Sequence, residues 1–223
     1  MKKNDRRHER ERQRLRENRE TILHAAEAVI LRQGFHETSM DDVAAEAQFS
    51  KATLYRYFRS KAELIFEILG HYLEEIDAEL RAIRGRNASA REKLRASLAV
   101  GIKFETEKGN IARVFLMERS FIKLIQTMVS ERGRSGSETE RRFIRTIRSK
   151  RNAMIAGGAE LFREGIASGE FREMDPAAAS RFFDAVVEGY FVGLFWSEAK
   201  PDIERDIDEL CQFLLRGLER GNA

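Results

Sequence analysis

Cysteine is nearly absent. Cys211 is the only one among 223 residues, so no disulfide forms within the chain and a Cys-rich metal site is excluded. Proline is almost as scarce: Pro176 and Pro201 are the two that occur, which favours long helices. The longest apolar stretch, 186–196, is broken by Glu188 and is too short to span a bilayer. Histidine is limited to His8, His24, His36 and His71, with no H-E-x-x-H or other ligand spacing, so no metal centre is expected. No nucleophile elbow or phosphate-binding glycine loop is present. Cys211 itself lies in an apolar helical stripe, where a thiol is a packing residue. These absences argue against an enzyme and against a bound cofactor.

Net charge is low as well. Forty Lys and Arg stand against 37 Asp and Glu, a balance of +3, which spread evenly says little about nucleic acid. The charge is not spread evenly. Residues 1–19 hold nine Lys and Arg and four Asp and Glu, a net +5, which leaves −2 for the rest. This arm, residues 1–18, has Leu15 as its one aliphatic side chain after Met1. It therefore lacks the apolar segment of a signal peptide, and a cytoplasmic protein is expected. Its Arg/Glu mixture fits a solvated extension of the first helix or a disordered tail, and equally an element that tracks phosphates or enters a minor groove.

Beyond the arm, helix punctuation is legible. Ser60 with Glu63, Ser89 with Glu92 and Ser137 with Glu140 fit the capping box, in which serine and glutamate satisfy orphan N–H groups reciprocally. Asp175 before Pro176 places an N-cap acid ahead of a proline at the first helical position. Lys200-Pro201 marks another start. Between these signals apolar residues recur at helical spacing, as at Ile22, Ala25, Ala26, Val29 and Ile30. Later helices are predicted over roughly 90–107, 111–129, 138–167, 176–198 and 202–219. No stretch alternates with period two long enough for a strand. The fold class is all-α, with about nine helices. Gly157-Gly158, inside one of them, marks either a kink or a close backbone approach.

Residues 38–61 read TSMDDVAAEAQFSKATLYRYFRSK. Two short helices meet at a tight turn, Gln48-Phe49, with Ser50 as the N-cap of the second. Ala44 and Ala47 let the helices cross closely, while Leu54 and Phe58 anchor the second inward. Lys51, Ala52, Thr53, Tyr55 and Tyr57 then face outward near its start. A helix-turn-helix needs this arrangement, because base contacts come from the beginning of the second helix.

Residues 19–69 resemble the DNA-binding domain of the TetR/AcrR family of bacterial transcriptional regulators. Gly34, Phe35, Thr38, Ser39, Met40, Val43, Ala44, Ser50, Lys51, Thr53, Leu54, Tyr55, Tyr57, Phe58 and Lys61 carry the likeness. Gln48 departs from a usual turn glycine, which a type I turn accommodates, and Ala52 departs from another glycine. The resemblance implies DNA contacts from Thr38, Ser39, Lys51, Ala52, Thr53, Tyr55 and Tyr57, with Lys61 at a phosphate. It also implies that 70–223 form a larger effector-binding and dimerisation domain, joined to the first through the helix over 60–83.

In that domain the last two predicted helices are strongly apolar, and Gly189 and Gly193 permit close helix approach. By themselves they read as core helices or as a packing face. The resemblance points to a twofold, four-helix interface containing Val186, Gly189, Tyr190, Gly193, Ile207, Leu210, Cys211, Leu214 and Leu218. Phe104, Phe115, Met117, Phe121, Met154 and Phe183 are core by spacing, and the resemblance implies that such residues line a pocket for a small, largely apolar effector. The expected function is a homodimeric repressor on a pseudo-palindromic operator, released by its ligand. A helical interaction protein using the arm is the rival reading, although the arm lacks a coiled-coil stripe.

Overall fold

The computed structural model describes residues 2–34, 37–107, 138–196 and 201–218. The helix predicted over 111–129, the capping box at Ser137, and Phe115, Met117 and Phe121 lie outside these residues. For Phe104 the backbone alone is described. Eight helices and no strand occur among the described residues: α1 (Lys2–Gln33), α2 (Met40–Glu46), α3 (Lys51–Tyr57), α4 (Lys61–Arg84), α5 (Ala90–Glu107), α6 (Glu138–Ala167), α7 (Pro176–Trp196) and α8 (Ile203–Leu218). The arm is thus a helical extension, continuous with α1. No described helix is long and apolar enough to cross a membrane.

The caps follow the sequence signals. Ser89 and Glu92 exchange both capping-box hydrogen bonds, at 3.2 and 2.9 Å. The Asp175 carboxylate accepts from the Ala177 N–H at 3.0 Å. At α8 the cap is Asp202, whose carboxylate accepts from the Arg205 N–H at 3.3 Å; Pro201 only precedes it. Ser39 and Asp42 form a further capping box at α2, built with aspartate in place of the usual glutamate or glutamine.

Among the described residues, two compact units form. One holds 2–71 and 138–144; the other holds 72–107, 145–196 and 201–218. In the first, Ile22, Ala26 and Ile30 of α1 pack with Val43 and Ala44 of α2, Leu54 of α3 and Leu64, Ile65 and Ile68 of α4. The turn between α2 and α3 closes as a Schellman motif. The Phe49 N–H donates to the Ala44 carbonyl at 2.9 Å, and the Gln48 N–H to Ala45 at 3.1 Å. Gln48 sits at φ +57. The expected type I turn is therefore wrong: this position is left-handed, which is why relatives of this motif favour glycine there.

In the second unit α5 packs on both α7 and α8. Leu98 and Ile102 of α5 meet Ile207 and Cys211 of α8, while Ala90 and Leu94 join Leu161, Phe162 and Phe171. The segment 170–172 binds two helix ends. The Glu170 carboxylate accepts from the Ala90 and Arg91 N–H groups at the start of α5, both at 3.1 Å. The Arg172 N–H and side chain donate to the carbonyls of Leu218 and Gly217 at the end of α8, at 2.7 and 2.8 Å. Negative charge thus meets one helix N-terminus and positive charge another's C-terminus. Burial pushes the Glu170 pKa up, yet the hydrogen bonds from Ala90, Arg91 and Ser168 outweigh it and hold the carboxyl below its ordinary range.

The glycines of α6 prove to be sites of close approach. A methyl on Gly157 would lie 2.7 Å from the Arg84 guanidinium carbon, and one on Gly158 would collide with the Ser180 hydroxyl, which donates to the Ile155 carbonyl at 2.7 Å. A methyl on Gly165 would enter the buried Phe171 ring and lie 2.9 Å from the Ala90 Cβ.

Two stability changes are expected. Gly165→Ala overpacks buried, immobile neighbours, which outweighs the helix propensity gained, for a net loss of about 1–2 kcal/mol. Gln48→Gly relieves the left-handed strain and gains about 0.5–1 kcal/mol. Thermal melts of the two variants, moving in opposite directions, check both.

Candidate nucleic-acid interface

The recognition helix α3 begins at Ser50, whose hydroxyl accepts from the Thr53 N–H at 3.1 Å. Leu54 and Phe58 are fully buried, and this fixes which face of α3 turns out. Lys51, Ala52, Tyr55 and Arg56 are exposed along it, and Arg59 is exposed just beyond its end. The Lys51 ammonium pairs with the Asp41 carboxylate of α2 at 2.8 Å. The hydrogen bond to Asp41 raises the lysine's pKa above its usual value, so Lys51 is a firm cation at any physiological pH.

The other expected contacts are placed differently. Thr53 is half-buried, with its hydroxyl 2.9 Å from that of Ser50. Tyr57 is only partly outward: it packs against the core, and its hydroxyl accepts from the Asn18 amide of α1 at 2.9 Å. Thr38 is a correction. It is 3% exposed, and its hydroxyl donates to the Gly34 carbonyl at 2.7 Å, so this side chain closes the end of α1 and is not offered to a ligand. Ser39 is exposed but engaged with Asp42, its hydroxyl donating to that carboxylate at 2.7 Å. The Ser39 hydroxyl and N–H bonds hold the Asp42 carboxyl below its usual pKa. Lys61 is half-buried at the first position of α4.

Arg19, the last of the basic residues counted over 1–19, is structural. The Arg19 side chain donates through Nε to Glu67 of α4 at 2.6 Å and through a second nitrogen to the other oxygen of the same carboxylate. A third nitrogen reaches the Tyr57 carbonyl at 3.3 Å, and the guanidinium lies 4.5 Å from the centre of the Phe58 ring. One side chain thereby ties α1, the end of α3 and α4. Its hydrogen bonds to Glu67 are the main cause of its raised pKa. The only advance signal was position, since Arg19 occupies the phase of α1 that one and two turns later carries Leu23 and Ala26.

The second unit holds the remaining candidates. Ile207 and Cys211 are a correction: both are buried within the chain, because the inner face of α8 is covered by α5. Burial pushes the Cys211 thiol up in pKa, consistent with an unreactive packing role. Tyr190 packs on the same cluster and its hydroxyl donates to Asp206 at 2.6 Å. Leu210, Leu214 and Leu218 are half-buried. Val186 is half-buried, and Gly189 and Gly193 are exposed, with nothing within 4 Å of a methyl built on either glycine. Phe182 of α7 and Phe213 of α8, left out of the expected interface, are each 70% exposed. Of the expected pocket, Phe183 joins both apolar clusters and Met154 is half-buried. Among the described residues no group of three or more His, Cys, Asp or Glu side chains is placed to hold a metal ion.

The model of the family described as "Bacterial regulatory proteins, tetR family" matches residues 22–68. The HTH-type transcriptional activator FasR of Mycolicibacterium smegmatis is 32% identical over 88 residues, a match that spans 40% of each chain. The uncharacterized HTH-type transcriptional regulator YfiR of Bacillus subtilis is 28% identical over 185 residues, 82% of each chain. The fatty acid degradation regulator FadR of Bacillus halodurans shares the fold, with a TM-score of 0.70 at 21% identity over 91% of this chain and 97% of that one. With a helix-turn-helix built from the matched residues and a helical domain after it, the chain carries the N-terminal domain of the tetR family of bacterial regulatory proteins and shares the fold of TetR/AcrR regulators over most of its length.

Proposed function

We propose that the protein is a ligand-responsive repressor that binds a pseudo-palindromic operator as a homodimer in the cytoplasm. The observation that carries this reading is the outer face of α3. Lys51, Ala52 and Tyr55 are exposed at its start while Leu54 and Phe58 lock its opposite side into the core. A rigid helix with a cation, a methyl and a phenol on its leading turns suits a major groove, where such groups meet phosphates, a thymine methyl and base edges. Lys51 enters the complex by exchanging Asp41 for a phosphate or a guanine edge.

The dimer reading rests on α7. Phe182, Ala185, Gly189, Val192 and Gly193 are all exposed and recur at helical spacing, so an apolar stripe runs along the solvent side of this helix, bordered by Arg181 and Glu188. A monomer does not keep such a stripe in water without cause, and two glycines four apart admit a second helix closely. Twofold pairing would set two copies of α3 on successive half-sites. For the effector, the reading takes its chemistry from apolar residues of the second unit, Phe183 and Met154 among them. The likeness to a regulator named for fatty acid degradation favours an acyl chain as the apolar part. Such a ligand acts by binding one dimer geometry better than the other.

Selection from random duplex DNA is expected to return a palindromic motif. On that duplex, Lys51→Ala and Tyr55→Ala each weaken binding by about fivefold or more, with no loss of thermal stability; unchanged affinity in both rejects the assigned face. Gly193→Trp is expected to convert the dimer to monomer in light scattering, and a variant that stays dimeric rejects this interface. Long-chain acyl compounds that leave DNA affinity unchanged at saturation reject the effector class.

A further inference from the structure

The helical register of α1 decides where the arm's charge points. Arg7, Arg10 and Arg14 follow each other by three and four residues, and Asn18 follows Arg14 by four. From Arg7 to Asn18 is eleven residues, about three turns, so these four positions share one face of α1. Asn18 is where that face meets the recognition helix, through its hydrogen bond to the Tyr57 hydroxyl at 2.9 Å. The three arginines therefore prolong, towards the N-terminus, the side of α1 against which α3 packs. All three are exposed, and no described residue bonds or pairs with them. Lys3 and Arg6 hold register positions four residues before Arg7 and Arg10.

The rest of the arm has a different character. Its opposite face mixes Arg12 and Arg16 with Glu9. Glu11 and Glu17 flank the stripe, and Glu17 is engaged by the Gln13 amide at 2.9 Å. Leu15 is the one exposed large apolar side chain there, so the arm offers nothing on which a protein helix could pack. Arg19, counted with the arm by sequence, is committed to Glu67, and the positive charge left free lies in the arginines of the extension.

We propose that this stripe is a second DNA contact, in which Arg7, Arg10 and Arg14 bind phosphates of duplex flanking the base pairs that α3 reads. The proposal rests on the regulator reading above. From Arg7 to Arg14 the helix rises about 10 Å, the length over which one strand carries about three phosphates. Because the arm is already helical, its cations are arrayed before DNA arrives, and binding does not have to order a loose tail. The contact reads no sequence; it adds affinity, salt dependence and a requirement for flanking duplex.

The test uses the full chain and a duplex carrying the selected motif with long flanks. A triple variant, Arg7→Gln with Arg10→Gln and Arg14→Gln, keeps good helix formers at exposed sites; the pair Arg12→Gln with Arg16→Gln is the control on the opposite face. The slope of log K against log salt is expected to flatten by about 5 in the triple variant, because a dimer loses six phosphate contacts, and to stay near wild type in the control. On a duplex trimmed to the motif, triple variant and wild type should bind alike. An unchanged slope in the triple variant, or an equal change in the control, overturns the stripe. A wild-type chain that selects no motif overturns the regulator reading, and the stripe with it.

Discussion

The first unit depends on one guanidinium. Arg19 meets the Glu67 carboxylate with two nitrogens, takes the Tyr57 carbonyl with a third, and lies over the Phe58 ring. Paired donors of fixed geometry are what a planar guanidinium supplies and an ammonium does not. The pair is about one-third exposed, dry enough for its orientation to matter and wet enough to avoid the full cost of burying charge. Its partners lie at the end of α3 and on α4, so one residue of α1 reinforces the pose that core packing of Leu54 and Phe58 gives the recognition helix. Asn18, holding the Tyr57 hydroxyl, adds a second fixed point one residue away.

Charge is arranged by partner as much as by amount. Lys51 presents a cation whose partner, Asp41, is on the neighbouring helix; in the proposed complex DNA would compete with that carboxylate, which would moderate nonspecific attraction. Arg7, Arg10 and Arg14 have no such competitor among the described residues. A chain of low net charge thus keeps one cation paired on the outer face of α3 and others without an ion-pair partner among the described residues further along α1.

Much of this was legible in the sequence because it arises from local rules. Ser89 with Glu92 and Asp175 before Pro176 announce helix starts through their own hydrogen bonds, and the spacing of Leu54 and Phe58 orients α3 without reference to distant residues. What was missed depends on neighbours in space. Gln48 itself gives no sign of a left-handed backbone, which closing the Schellman turn onto Ala44 imposes; the glycine usual at this position was the hint, and the type I turn was the wrong way to accommodate its absence. Thr38 matches a family contact position, yet the Gly34 carbonyl above it claims its hydroxyl. Ile207 and Cys211 sit in a stripe that suits a partner chain or α5 equally, and packing within the unit decides. Gly157 and Gly158 leave kink and close backbone approach open in the sequence, and what lies against them is side chain, the Arg84 guanidinium and the Ser180 hydroxyl.

Connecting loops ordinarily absorb inserted or deleted residues, because few contacts depend on their length. The segment 170–172 is a loop of the opposite kind. Three consecutive residues serve three elements in fixed order: a carboxylate for the start of α5, a ring buried beside Gly165 of α6, and an arginine for the end of α8. Shifting the chain there by one residue would bring each group to the wrong partner at once, placing an aromatic ring at a helix terminus and a charge in the core. Length at this loop is therefore constrained like that of a strand register, and drift among descendants of this chain should accumulate in other connections first.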